Sequence, residues 1–150
     1  MKFGGSTKPI WDSGAGRNIL NPSHAPDHTL EKSDHPGFTG PSGETIKVRG
    51  KTRVRFTDET LNSTAEATFI VADKVTRPIL SGGDLNDQGN ITISSARGAF
   101  VVSEEVAREA CVALMPHAKS SFDRAGPGRL YELNSYLLPQ SSQIVQGQAE

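Results

Sequence analysis

The sequence predicts a small all-β domain with many turns and one or two short helices. Hydrophobic residues make up 35% of the 150 residues, and 15 glycines and 9 prolines supply frequent turns, a composition that suits a β-rich fold. Apolar and basic side chains alternate between Ile46 and Phe56, which is the period of a strand with one buried face. The length is that of one domain with a modest core.

The first predicted strands flank a short turn near the start of the sequence. A brief strand ends at Asp12, and Ile19-Leu20 are expected to form the next one. Asn21-Pro22 end that strand, because proline cannot donate to a sheet. The stretch from there to Gly43 is loop-like, and its prolines oppose a regular helix.

Two hairpins are predicted further along the chain. The alternation over 46–56 is interrupted at Gly50 and gives one apolar face and one strongly basic face that would lie in solvent. A polar turn is expected from Thr57 to Thr64, and a buried strand rich in β-forming residues returns over 67–72. Strands over 91–93 and 100–102 are expected to form a closing hairpin.

Two helices are predicted in the second half of the chain. A short one over 84–88 would end at Gly89, since glycine is the usual residue at a left-handed helix exit. Ser103 is a good cap for a helix from 104 to about 115. Two acids in the first turn of that helix favour the same start, because they complement the helix dipole.

One tetrapeptide, Asp12-Ser13-Gly14-Ala15, has the residue types of a catalytic carboxylate turn. A hydroxyl at Ser13 can hydrogen-bond across the turn, and Gly14 lets a backbone amide approach the carboxylate with no side chain in the way. The small Ala15 would let two such turns meet. The same residues also occur in an ordinary surface turn, where the aspartate binds its own backbone.

A second motif lies downstream, where Ile79-Leu80-Ser81 run an apolar pair into a small residue and a short helix. Together the two motifs resemble the retropepsin-like aspartic proteases of retroviruses and long-terminal-repeat retrotransposons. In that family a D-[ST]-G-A turn is followed by a glycine-tipped flap hairpin, and then by two apolar residues and a small residue. The Leu80-Ser81 ending is similar to copia-like retrotransposon proteases, and the resemblance covers about residues 8–102.

The resemblance implies a small, closed, β-barrel-like acid protease fold with a flap hairpin. It also implies that Asp84 caps its helix or faces solvent. The apolar pair and the small residue of the second motif would pack behind the Asp12 turn and fix its position. The expected site residues are Asp12, Ser13 and Gly14 for catalysis, Ala15, Gly40, Pro41, Ser42 and Gly43 for substrate binding in the turn and the flap tip, and Ile79, Leu80 and Ser81 for support of the site.

One chain of this length supplies one such aspartate turn and is too short for a two-lobed enzyme of the pepsin kind. The resemblance therefore implies a homodimer in which Asp12 of each copy forms half of a catalytic pair. The expected substrate is a peptide or a polyprotein.

Three segments are expected. Residues 1–8 would be a flexible lead-in, and residues 9–115 would form the retropepsin-like domain. Residues 116–150 are rich in Ser, Gly, Pro and Gln and would be a largely disordered linker or the start of the next polyprotein segment. Within them, the stretch 128–133 resembles the short segment that follows the protease in copia-like polyproteins.

Charge and apolar content argue against several partners. The chain has 16 basic and 17 acidic residues, for a net charge of -1, which gives no footprint for nucleic acid or an anionic membrane. No apolar run approaches the roughly 18 residues that a membrane helix requires. Cys111 is the single cysteine, so no internal disulfide can form, and an intracellular, cytoplasmic location is expected.

Three histidines, His24, His28 and His35, fall in the proline-containing loop. The first two have a spacing that could chelate a metal on a helix, but the prolines oppose that helix and no cysteine or carboxylate cluster completes the set. We expect no metal and no cofactor.

The sequence thus predicts an aspartic-type endopeptidase of a retrotransposon polyprotein. The alternative is a catalytically inactive or domesticated retropepsin-like module for dimerisation or peptide binding. The short lead-in before Asp12 favours this alternative, and the intact Asp12-Ser13-Gly14 opposes it. A surface turn in an unrelated β-domain is the remaining possibility.

Overall fold

The structure, a computed structural model, describes residues 8–40, 42–136 and 138–139. Most of the regular structure in these residues is β, with two short α-helices, so the predicted fold class is confirmed. The strands are β1 (Ile10–Asp12), β2 (Ile19–Leu20), β3 (Phe38–Thr39), β4 (Thr45–Ile46), β5 (Val48–Asp58), β6 (Ser63–Ala72), β7 (Ile79–Ser81), β8 (Asn90–Ser95), β9 (Gly98–Ser103), β10 (Phe122–Arg124) and β11 (Tyr131–Leu133), and the α-helices are α1 (Gly82–Asp87) and α2 (Glu104–Leu114).

Five strands form a central sheet in the order β1-β7-β2-β6-β5. β1 is parallel to β7 and β2 is parallel to β6, whereas β2 is antiparallel to β7 and β5 to β6. Parallel neighbours cannot be joined by a tight turn, so distant parts of the chain meet in this sheet. β1 and β5 lie at its edges within the described residues, and the barrel-like closure stays a prediction.

The long hairpin of β5 and β6 forms as the alternation predicts. Thr52 and Val54 are buried, while Arg53 and Arg55 between and after them are exposed. Both strands extend further into the predicted polar turn than expected, with Asp58 paired to Ser63. The threonines near this end favour the extended backbone, which explains the longer strands.

Gly50 marks a register shift in β5 for a structural reason. Its φ is +155°, and a side-chain carbon there would lie 2.4 Å from the Glu31 carbonyl oxygen. Glu31 bridges to Lys51 through two backbone hydrogen bonds of 2.8 Å. The glycine therefore lets the loop that precedes β3 lie directly against the sheet.

The core lies against the middle of the central sheet. Its buried members Leu20, Val54, Phe69 and Val71 come from β2, β5 and β6, and Leu80 of β7 packs against them. The strand that leaves the aspartate turn is therefore fixed by the same apolar contacts as the long hairpin.

Both helices begin with a serine cap. Ser81 accepts a hydrogen bond from the Asp84 amide at 3.0 Å, so α1 starts two residues earlier than predicted. Gly89 after α1 has a φ of +79°, as expected for a left-handed helix exit. Ser103 accepts from the Val106 amide at 3.2 Å, and the predicted α2 is confirmed.

Three further two-stranded sheets surround the central one in the described residues: β3 with β4, β8 with β9 and β10 with β11. The β8–β9 hairpin was predicted. The β10–β11 hairpin lies inside the segment 116–150 that was expected to be a largely disordered linker, and the predicted division at residue 115 stays a prediction. Residues 1–7, 41, 137 and 140–150 lie outside the described residues.

No helix among the described residues has the length and the apolar character that a membrane span would need.

We expect Leu20→Ala to lower the free energy of unfolding by about 2–5 kcal/mol, because it leaves a cavity in the core. Leu61→Ala is the matched control, since Leu61 is 67% exposed at the tip of the long hairpin. The control should cost no more than about 0.5 kcal/mol. Denaturant unfolding of both variants measures the difference, and equal losses would contradict the assignment of Leu20 to the core.

Candidate active site

The Asp12 turn crosses the end of a central strand. β1 and β2 lie on the two sides of β7, so the loop of residues 13–18 that joins them must pass over the end of β7. Asp12 pairs with Ser81, the last residue of β7. Asp12 and Ile79, which belong to the two sequence motifs, are 67 residues apart in the sequence. The two motifs therefore meet where β1 and β7 end.

The carboxylate of Asp12 is oriented by its own turn. Its Oδ1 accepts a hydrogen bond from the Gly14 amide at 2.8 Å. A side-chain carbon on Gly14 would lie 3.3 Å from that oxygen, so a larger residue would crowd the carboxylate. The Asp12 side chain is half-buried, while Ser13 and Gly14 are exposed. The carboxylate is thus fixed in direction and remains accessible.

Ser81 connects the turn to the start of α1. It is fully buried, and its hydroxyl donates to the Ala15 carbonyl oxygen at 2.6 Å while accepting from the Asp84 amide. This one hydroxyl thus supplies a hydrogen-bond partner to a carbonyl of the aspartate turn and to an amide in the first turn of the helix. The role of Ser81 as support of the site remains a prediction, and these bonds give its physical basis.

Asn18 is a residue that the sequence reasoning missed. It is 1% exposed, and its side-chain oxygen accepts from the Ser81 amide at 2.7 Å. Its side-chain nitrogen donates to the Thr68 carbonyl at 3.1 Å, and its own carbonyl accepts from the Ile70 amide at 2.8 Å. Asn18 therefore ties β6 and β7 to the end of the turn, and no local pattern in the sequence signals this.

Asp84 is packed against the turn, which corrects the expectation that it caps a helix or faces solvent. Its carboxylate accepts from the Asn18 amide at 2.7 Å and pairs with Arg17 at 3.2 Å, and its side chain is only 13% exposed. The cap is Ser81 instead. One oxygen of Asp84 is therefore engaged by a backbone amide and the other by a cation.

Gly82 and Gly83 let other side chains lie against the start of α1. A side-chain carbon at position 82 would lie 3.2 Å from Trp11 Nε1 and 3.3 Å from Ser13 Cα. One at position 83 would lie 2.9 Å from Arg124 Nη2. The two glycines thus let the helix contact both the aspartate turn and the β10–β11 hairpin.

The β10–β11 hairpin is anchored to α1 by an ion pair that the sequence reasoning also missed. Arg124 pairs with Asp87 through both carboxylate oxygens, and the Gly128 amide donates to Asp87 at 3.2 Å. The Arg124 hydrogen bond lowers the pKa of Asp87, and the same contact raises the pKa of Arg124. Tyr131 adds a hydrogen bond from Asn86 and a ring beneath the Arg124 guanidinium.

A cavity of about 220 Å³ opens beside the aspartate turn. It is lined by Trp11 and Ser13, by Gly82 and Asn86 of α1, by Ile91 and Thr92 of β8, and by Tyr131. The Thr92 hydroxyl is buried without a hydrogen-bond partner in the described part of the chain. A larger cavity of about 520 Å³ lies at residues 123–125 and 132–136, and it includes none of the predicted site residues.

The predicted flap tip forms a hairpin turn between β3 and β4. The Gly40 amide donates to the Glu44 carbonyl at 2.8 Å, and the Gly43 amide donates to the Gly40 carbonyl at 2.9 Å. The Ser42 amide donates to the Glu44 carboxylate at 3.0 Å. Pro41 lies outside the described residues. No hydrogen bond among the described residues joins this tip to the Asp12 turn.

His35 lies at the base of this hairpin and near the aspartate turn. Its ring stacks on Phe38 at 4.2 Å, and its Nδ1 accepts from the Gly37 amide at 3.1 Å. Burial lowers the pKa of His35, and the positive charge of Arg17 lowers it further. Neutral His35 therefore fits this position better than the imidazolium, which would lose the Gly37 hydrogen bond.

The histidines of the loop form no metal centre with neighbouring ligands. No group of three or more His, Cys, Asp or Glu side chains among the described residues could hold a metal ion. His24 instead accepts from the Asn21 amide at 3.0 Å, as part of a capping box.

Comparisons with known proteins add little to this geometry. No protein-family model matches the chain, and no curated protein matches it. Among solved structures, the chain is similar to the EIAV protease complexed with the inhibitor HBY-793, with 21% identity over 58% of this chain and 80% of that one and a TM-score of 0.43. A likeness of this size carries no argument, so the function is inferred from the site itself.

We expect Ser81→Ala to destabilise the protein by about 1–3 kcal/mol, because a buried carbonyl and the helix amide both lose their partner. It should also loosen the aspartate turn. Ser103→Ala is the matched control, since it removes a helix cap far along the chain from this turn and should cost about 1 kcal/mol. Denaturant unfolding measures the stabilities, and backbone relaxation of the Gly14 amide measures the turn. Unchanged Gly14 dynamics in Ser81→Ala would contradict this role.

We expect the base of the β3–β4 hairpin to loosen as the pH falls. The folded-state pKa of His35 is lowered from 6.5, so its stabilising contribution is complete above that value and is lost as the pH falls through the lowered pKa. The Gly37 amide resonance, followed from pH 8 to about pH 5, should report the loss of its hydrogen bond.

His35→Asn is the control for this titration. Asparagine can accept from the amide two residues on but does not titrate. The Gly37 resonance of the variant should stay nearly constant over the same range. A titration that persists in His35→Asn would show that another group causes it.

Proposed function

We propose that this domain is the aspartic endopeptidase of a retrotransposon polyprotein, with a retropepsin-like fold and a homodimeric active form. The observation that carries the proposal is the state of the Asp12 carboxylate. Oδ1 is held by the Gly14 amide at 2.8 Å, whereas Oδ2 has no hydrogen-bond partner within the described residues. A carboxylate that is oriented on one side and open on the other can act on a water molecule and on a second carboxylate.

A second copy of the chain is required because one chain supplies one such turn. Ser13, Gly14 and Ala15 beside Asp12 are small, so two turns can approach each other about a two-fold axis. Two carboxylates about 3 Å apart cannot both ionise, and in aspartic proteases they share one proton.

This arrangement supports hydrolysis of a peptide bond by water. The ionised carboxylate would take a proton from a water molecule held between the two Asp12 side chains, while that water attacks the scissile carbonyl carbon. The protonated carboxylate would donate to the carbonyl oxygen as negative charge develops there. In the collapse of the resulting gem-diol, the carboxyl that took the water proton would give it to the amide nitrogen as the C–N bond breaks. The other carboxylate would take a proton from a diol hydroxyl, which leaves the acid and amine products and restores the single shared proton. The chemistry requires neither a metal nor a covalent intermediate.

The other predicted residues would position the pair and the substrate. Ser13 would brace the carboxylates, Gly14 would leave room for the substrate, and Ala15 would contact the substrate from the active-site turn. The flap tip of Gly40, Pro41, Ser42 and Gly43 would close over the bound peptide and exclude water from the reacting bond. Ile79 and Leu80 pack in the sheet behind the turn, which supports their expected role in fixing it.

We expect Asp12→Asn to lower the rate of peptide cleavage by at least about a thousandfold, because it removes the general acid and base. Asparagine can still accept the Gly14 hydrogen bond, so thermal unfolding should be unchanged. Asp123→Asn, the same substitution at an exposed strand residue, is the matched control and should retain full activity. A mixed peptide library at mildly acidic and neutral pH is the substrate, and a statine-type inhibitor should abolish cleavage.

Two results would count against the protease. Cleavage that survives Asp12→Asn would exclude this carboxylate as the catalytic group. A folded dimer that binds library peptides and cleaves none would favour the alternative, in which the domain is an inactive or domesticated module for dimerisation or peptide binding.

A further inference from the structure

The β8–β9 hairpin has an apolar side that the rest of the described chain covers only in part. Its register places Ile91 opposite Val102 and Ile93 opposite Phe100. Directly opposed residues of an antiparallel pair point to the same side, and so do residues two apart on one strand. We call the side formed by Ile91, Ile93, Phe100 and Val102 the β8–β9 face.

The outer half of this face is open to solvent. Ile93 is 42% exposed and Phe100 is 52% exposed, although both belong to regular strands. The inner half, Ile91 and Val102, is partly buried. A contiguous apolar side on a short two-stranded sheet is typical of a surface that another molecule covers.

The β8–β9 face begins at the candidate active site. Ile91 and Thr92 line the same cavity as Trp11 and Ser13. Trp11 precedes Asp12 and is 38% exposed. An apolar surface therefore runs from the aspartate turn along the hairpin, and the unpaired Thr92 hydroxyl lies at the junction.

The absence of charged residues in β8 and β9 favours the same face of a second copy of the chain as the partner. Neither β8 nor β9 contains a charged residue. Identical surfaces that meet about a two-fold axis bring each residue near its own copy, so a charged surface would repel itself. The outer side of β5, which carries Arg53 and Arg55, is an example of such a surface. The uncharged β8–β9 face has no such cost.

We propose that the β8–β9 face, together with Trp11, is the surface on which a second copy of this chain docks. This inference rests on the proposed function, which requires the Asp12 turns of two chains to meet. Surfaces that flank Asp12 must then lie close to the two-fold axis and contact the second copy. The β8–β9 face is the uncharged apolar surface that flanks it. Docking would cover Phe100 and Ile93 and complete the walls of the cavity at Trp11 and Ser13.

Sedimentation equilibrium of the full chain tests the proposal. Phe100→Asp and Ile93→Asp each place two carboxylates in the apolar contact of a dimer, so self-association should weaken about a hundredfold or more. Leu61→Asp introduces the same charge at an exposed leucine of the long hairpin and should leave self-association unchanged. Phe100→Leu keeps the surface apolar and should retain most of the association.

Trp11 allows a second test that requires no substitution, because it is the single tryptophan of the chain. Its emission should shift to shorter wavelength, and acrylamide should quench it less, as the concentration rises through the dimer transition. A dimer that forms with unchanged Trp11 emission would overturn the proposed surface.

The outcomes separate this inference from the proposed function. If Phe100→Asp and Ile93→Asp dimerise as tightly as the wild type, or if the wild type stays monomeric, the docking surface is wrong. If the wild type dimerises through this face but cleaves no peptide, the docking surface stands and the protease proposal fails. If the wild type cleaves peptides and both variants lose dimer and activity together while Leu61→Asp retains both, the two proposals stand together.

Discussion

The geometry of the candidate site depends on one buried polar contact, the hydrogen bond from the Ser81 amide to the Asn18 side chain. Both residues are almost fully buried, and a buried polar group without a partner would cost a few kcal/mol. Asn18 also bonds β6 and the Asp84 carboxylate, and Ser81 also bonds the turn at Ala15. Because these bonds join the turn to two strands and a helix start, the turn cannot shift without breaking several of them.

The two acids near the turn, Asp12 and Asp84, have different hydrogen-bond partners in this network. Asp84 is held by a backbone amide and by Arg17, so its charge is used to fix the structure. The Asp12 carboxylate accepts one hydrogen bond within the described residues, from an amide two residues away, and Asp12 is half-buried. An apolar, uncharged surface continues from this point along the β8–β9 hairpin. The distribution of charge thus leaves one accessible carboxylate beside the uncharged β8–β9 face, where we propose that a second copy docks.

Local features of the sequence were predictable, and contacts between distant residues were not. The alternation in β5 and the cap at Ser103 follow from side-chain period and from hydroxyl chemistry within a few residues. The bonds of Asn18 to Thr68 and of Asp87 to Arg124 span 50 and 37 residues, so no local pattern reports them. The early start of α1 could not be predicted for the same reason. Ser81 is the last residue of β7, donates to the turn at Ala15 and also caps the helix. The residue types of the turn at 12–15 can thus be recognised from the local sequence, whereas the long-range bonds of Asn18 and Arg124 cannot. The assignment of the site itself stays a prediction.

The identity of residue 12 cannot be explained by stability. The carboxylate contributes one hydrogen bond to its own turn, and an asparagine in its place could accept the same bond without charge. The surrounding scaffold uses Ser81, Asn18 and Asp84, none of which hydrogen-bonds to the Asp12 side chain. An ionisable group at this half-exposed position therefore adds little to folding. Its chemical value lies in accepting and donating a proton, which is the property that hydrolysis of a peptide bond requires.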